Sequence, residues 1–240
     1  MQINFGGREI AIKLVYYGPA LSGKTTNLRS LHELTTEGGR GRLMTLETKD
    51  DRTLFFDMLP LTLRAEGGGM TLRIKIFTVP GQVLHASTRR LVLQGADGVA
   101  FVADSQISEA EHNAASFLDL RKNLAELGVN VKQLPLVIQF NKRDLDRVRS
   151  DDEIAALARR GREPVFKASA VNGRGVLETF FGLLYLTWFK LDGEHQLAKM
   201  LGVESRDLLP MAARQLGITS EVKALLAACV GGGLDERGTL

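Results

Sequence analysis

Residues 18–25 read Gly18-Pro19-Ala20-Leu21-Ser22-Gly23-Lys24-Thr25, an unbroken G-x-x-x-x-G-K-[ST] pattern, and no other stretch constrains the fold as strongly. A β-rich run, residues 10–17, precedes it. Residues 25–37 follow, with Leu28, Leu31 and Leu34 at helical spacing. A glycine-rich loop between a strand and a helix is built to hold phosphate. Successive backbone N–H groups converge, the helix N-terminus adds partial positive charge, and Lys24 adds a full one. The Thr25 hydroxyl suits Mg²⁺, a hard cation that prefers oxygen. Thr26 completes the candidate contact set in the first helical turn.

The rest of the chain repeats the alternation of strand and helix. Strands are expected at residues 54–64 and 71–79, joined by a hairpin at the glycines of 66–69. In the second of these, Leu72, Ile74 and Ile76 alternate with Arg73, Lys75 and Phe77, the pattern of a strand near a sheet edge. Residues 98–103 and 136–140 are short continuous apolar runs, which implies strands covered on both faces in a parallel sheet. Helices are expected at 86–94, 110–127, 151–160 and 176–191, and a last strand near Phe166. The resulting fold class is α/β, with six strands, five parallel and one antiparallel.

Composition agrees with an ordinary folded chain of 240 residues: 44% hydrophobic, 25% charged and a net charge of +3 with the signs interleaved. That balance gives no reason to expect nucleic acid as a partner. The lone Cys229 has no partner for an internal disulfide, which fits a reducing cytoplasm. No secretory signal is visible, Gln2 is not the glycine that myristoylation needs, and no apolar run reaches the length of an integral membrane segment.

A second motif, Asn141-Lys142-Arg143-Asp144, follows the strand ending at Phe140. It therefore sits at the carboxyl end of a parallel strand, where open α/β sheets bind ligands. Guanine offers N1–H and N2–H₂ side by side, and the acceptor-only carboxylate of Asp144 can take both. Adenine would place a lone pair against it. The pair of motifs therefore favours GTP over ATP. Lys142 is expected to lay its aliphatic stem on the base, and the backbone N–H groups of Ser169 and Ala170 to reach the guanine carbonyl.

Together these motifs resemble the small Ras-like P-loop GTPases. The segments Asp51-Arg52-Thr53-Leu54-Phe55-Phe56-Asp57, Thr78-Val79-Pro80-Gly81-Gln82 and Phe101-Val102-Ala103-Asp104-Ser105-Gln106 narrow the resemblance to the MglA group of bacterial GTPases, over about residues 1–190. The resemblance implies a cytoplasmic GTP/GDP switch, recruited to a cell pole, that controls polarity or gliding motility through effectors. It also implies a roadblock-type GAP (MglB-like) as regulator. Residue by residue, it makes Thr53 the switch I threonine that binds Mg²⁺ and senses the γ-phosphate. Gln82, with Gly81 beside the phosphate, would orient the attacking water, and Arg52 would act as an arginine finger within the chain. Phosphoryl transfer is mainly positioning and charge stabilisation, which such groups supply. A competing reading is a GTP-dependent scaffold that does not hydrolyse.

Three departures stand out. The D-x-x-G aspartate of most Ras-like chains is Thr78 here, a substitution the MglA group shares. It leaves Asp57 and Asp104 as alternative carboxylates near the metal. Ala20 replaces a usual glycine and crowds the approach to the phosphates, so intrinsic hydrolysis is expected to be slow. Residues 191–240 form a helical extension beyond the expected 1–190 domain, with helices near 194–201, 205–215 and 220–230. The helix before it, 176–191, is apolar on nearly every face, so the extension is expected to pack over its outer side.

Overall fold

Strand β6 (Gly98–Asp104) is buried at every position, while β5 (Thr71–Thr78) alternates buried and exposed. That difference places the first in the middle of a covered sheet and the second nearer its edge. The computed structural model describes residues 1–46, 56–65, 69–80 and 86–218. Strand β2 (Glu9–Tyr17) pairs in parallel with β5 on one side and β6 on the other. Beyond β6 lie β7 (Leu136–Asn141) and β8 (Val165–Lys167), both parallel. Strand β4 (Phe56–Arg64) runs antiparallel to β5. These are the five parallel strands and one antiparallel neighbour expected from the sequence. Two further strands, β1 (Gln2–Asn4) and β3 (Met44–Leu46), pair antiparallel with β2 and β4. Each has three residues, too few to carry an alternation signal.

The order across the sheet is β3-β4-β5-β2-β6-β7-β8. The chain builds outward from β2 to one side and then to the other, so a crevice opens at the carboxyl end of β2, where such folds bind ligands. Helices α1 (Lys24–Leu34) and α5 (Val176–His195) cover one face. Helices α2 (Ala86–Leu93), α3 (Ala110–Glu126) and α4 (Asp151–Arg160) cover the other. No helix among the described residues is long and apolar enough to cross a membrane.

The extension differs in detail from the sequence reading. Helix α5 runs on to His195 and stops at Gln196, whose backbone is left-handed (φ 56). Helix α6 (Leu197–Leu201) therefore begins later than expected. A 3₁₀ turn (Ser205–Asp207) then leads into α7 (Leu208–Gln215), and the helix expected at 220–230 lies outside the described residues. The extension reaches past α5 to the sheet. Leu197, Leu201, Leu208 and Leu216 are fully buried in one cluster with Trp188 of α5 and with Leu59, Leu61 and Leu63 of β4. Gln215 Oε1 accepts the Arg64 N–H at 2.8 Å while its Nε2 donates to Arg64 O, so one side-chain amide satisfies both backbone groups at the end of β4. The described residues leave part of the outer side of α5 uncovered: Tyr185 and Phe189 stack at 6.2 Å beside an open groove near Pro135 and Pro164.

If the extension shares the main core, Leu208→Ala lowers unfolding stability by about 2–5 kcal/mol in chemical denaturation, as for other buried leucines. A loss below about 1 kcal/mol would show that α7 is only loosely attached.

Candidate functional site

The loop between β2 and α1 is built around two glycines. Gly18 has φ 147, and a Cβ there would lie 2.2 Å from Val102 O. Gly23 has φ 96, and a Cβ would lie 2.2 Å from Asn141 Nδ2. Both positions require glycine because the chain turns against its neighbours. Gly23 also caps α1 without a side-chain hydrogen bond, and the first turn holds no acidic residue. The helix N-terminus is therefore electrically suited to an anion.

Lys24 is buried, and its Nζ donates to the backbone oxygens of Gly18 at 2.9 Å and Pro19 at 2.6 Å. Loss of hydration, and then the nearby Arg89 charge, push its pKa down to about 7. The carbonyl oxygens occupy the donors that a phosphate would take. Ala20 and Leu21 are exposed at the loop tip, Leu21 with φ 60, while Ser22 is buried beneath it.

The second motif meets the first through Asn141. Its Nδ2 donates to Ser22 O at 2.8 Å, and its Oδ1 accepts the Ala170 N–H at 2.9 Å. One buried amide thus ties the phosphate loop to the loop after β8. Asp144 Oδ1 accepts from the Ser169 hydroxyl, which holds the carboxylate at the rim of a cavity of about 340 Å³ lined also by Arg143, Lys167 and Arg174. Lys142 takes a left-handed backbone (φ 66) and its Nζ pairs with Asp104 at 2.6 Å. The expected free donors at Ser169 and Ala170 are both engaged: Ser169 N–H donates to Arg174 O at 3.0 Å, and Ala170 N–H to Asn141. Buried N–H groups must find acceptors, and here the chain supplies them.

The Thr25 hydroxyl donates to Asp57 Oδ2 at 2.6 Å. Arg52, Thr53, Gly81 and Gln82 lie outside the described residues. Among the described residues, no group of three or more His, Cys, Asp or Glu side chains gathers as a metal cage. Mg²⁺ does not need one, since it keeps waters and phosphate oxygens beside one or two protein ligands.

Two supports escaped the sequence reading. Gln139 bonds Asn27 of α1 reciprocally at 2.9 Å and donates to Thr179 of α5 at 2.8 Å, locking α1 under the loop. A glutamine inside the apolar run 136–140 was the signal for it. Arg89 of α2, largely buried, pairs with Asp119 of α3 at 2.9 Å, and Asp119 also accepts from the Tyr17 hydroxyl. Burial and that contact raise the Tyr17 pKa. No local pattern announced this pairing.

Because burial lowers the Lys24 pKa to about 7 and an adjacent phosphate would raise it again, binding GDP at pH 8 should take up a proton. Calorimetry in two buffers of different ionisation enthalpy would read this as unequal binding heats, and equal heats would refute it. Affinity for the nucleotide should correspondingly fall as pH rises above about 7.

No protein-family model matches the chain. It is 46% identical over 193 residues to the mutual gliding-motility protein MglA of Myxococcus xanthus (strain DK1622), an alignment covering 80% of this chain and 98% of that relative. With the G-x-x-x-x-G-K-T loop and the N-K-x-D segment tied together beside a mostly parallel sheet, and with identity of that extent, the chain belongs to the MglA family of Ras-like small GTPases.

Proposed function

We propose that the chain is a GTP/GDP switch that hydrolyses GTP slowly and governs gliding motility or cell polarity through effectors, with a roadblock-type, MglB-like GAP as regulator. The observation that supports the nucleotide reading is the link through Asn141, which ties the phosphate loop to the loop after β8, where the Ser169 hydroxyl holds Asp144. The name of the similar relative supports the cellular role.

In this reading Lys24 and the N–H groups at the start of α1 hold the phosphates, exchanging the Gly18 and Pro19 carbonyls for phosphate oxygens. Asp144, steadied by Ser169, accepts both guanine donors. Thr25 and Thr53 would hold Mg²⁺, and the ion would supply positive charge to the phosphates. Gln82 orients the water that attacks the γ-phosphorus, and Arg52 meets the charge developing on the bridging oxygen. GDP leaves with that oxygen, and the water oxygen ends on phosphate. The 191–240 extension is read as a structural layer on the 1–190 GTPase domain, in keeping with the leucines it buries.

Base recognition is checked by Asp144→Asn. It should lose GDP affinity by about 100-fold or more and gain xanthosine diphosphate, whose 2-oxo group accepts from the amide. Unchanged GDP binding would remove Asp144 from the site. Hydrolysis is checked by single-turnover GTP assays with and without a roadblock-type partner. The partner should accelerate the wild type, and Arg52→Ala should lose about 10³-fold or more of the stimulated rate. Tight GTP binding with no turnover under any condition would favour the scaffold reading.

A further inference from the structure

Asp104, one of the two carboxylates expected near the metal, has a different partner. This residue ends β6 and lies beside Asn141, the last residue of β7, in the parallel register. It is only 4% exposed. Helix α3 holds its backbone through one side chain: the Asp104 N–H donates to Asn113 Oδ1 at 2.9 Å, and Asn113 Nδ2 donates to Asp104 O at 2.8 Å. One carboxylate oxygen, Oδ1, accepts the Gln106 N–H at 3.0 Å. The other, Oδ2, meets Lys142 Nζ at 2.6 Å. The neighbouring strand is tied in as well, since the Ser105 N–H donates to Asn141 O at 2.9 Å.

Lys142 is thus fixed at both ends. Its backbone takes the left-handed conformation (φ 66), which residues with a side chain rarely adopt, and its ammonium meets a carboxylate that is itself clasped. A lysine stem left loose in water must be ordered when a ligand lies on it, and a stem ordered in advance escapes that cost. An ion pair with so buried a carboxylate is weak ground for stability, because desolvation offsets the attraction. Its consequence is geometric. It sets the course of the methylenes, the apolar surface that the base-reading motif would offer to one face of guanine.

We propose that Asp104 is a positioning residue for guanine recognition: clasped by Asn113 and Gln106, it tethers the Lys142 ammonium, so that the lysine stem is an ordered platform before the base arrives. This rests on the nucleotide-switch reading. Asp104 touches no part of the nucleotide in this account and acts only through Lys142. Its charge then serves base recognition rather than the metal.

The test is a double-mutant cycle on GDP affinity, measured by calorimetry on the full chain at a fixed Mg²⁺ concentration. Asp104→Asn keeps the shape of the side chain and removes the charge that holds the ammonium. Lys142→Met keeps an unbranched apolar stem and removes the ammonium. Each should weaken GDP binding about 10-fold, and the two together also about 10-fold, because the same tether is broken in every case. Losses that multiply, to about 100-fold in the double variant, would make Asp104 a support independent of the lysine and overturn the proposal. Affinity within about twofold of wild type in either folded single variant overturns it as well. If Asp104→Asn does not fold, Asn113→Ala takes its place in the cycle, since it releases the clasp on the Asp104 backbone, and the same outcomes decide. A wild type that binds GDP alongside an overturning result leaves the nucleotide reading standing and sinks this inference alone. A wild type that binds no GDP defeats that reading and this inference with it.

Discussion

Most of the site depends on the Asn141 amide. Its two hydrogen bonds, to Ser22 O and from the Ala170 N–H, join segments more than a hundred residues apart and satisfy buried backbone groups that would otherwise be orphaned. The same side chain makes Gly23 obligatory, since a Cβ there would meet its nitrogen at 2.2 Å. Beneath it, Gln139 pins Asn27 and Thr179, so α1 and α5 are held to β7 by polar contacts as well as apolar packing. A buried polar network of this kind favours one arrangement of the segments it joins.

Charge in the crevice is held at a cost that a ligand can repay. Lys24 is buried against carbonyl oxygens rather than a carboxylate, with the Arg89 charge nearby. Asp57 lies across the loop among hydroxyls. Each group stands without a full countercharge of its own among these contacts. A phosphate beside the first and a divalent cation beside the second would satisfy both at once.

The extension alters the setting of this machinery. The chain is longer than the relative it matches along nearly that protein's whole length. Its described helices bury leucines against β4, whose second residue is Asp57 and whose last, Arg64, is clasped by Gln215. The strand that carries Asp57 near one end is therefore held at its other end by the extension.

The sequence by itself determined what local chemistry can carry. The octet from Gly18 to Thr25 needed only a strand before it and a helix after it, and the apolar runs at 98–103 and 136–140 announced strands covered on both faces. Asn141 and Asp144 were legible because N-K-x-D sits at a strand end. Tertiary structure decided the rest. The sequence treats Asp57 and Asp104 alike; the register of β4 on β5 sets Asp57 against Thr78 and Thr25, while Lys142 claims Asp104. The Arg89–Asp119 pair and the seating of the extension on β4 are likewise contacts between distant segments. Spacing along a chain reports which groups share a strand or a helix face. Which groups meet across the sheet depends on register and packing, and these are set only when the whole core closes.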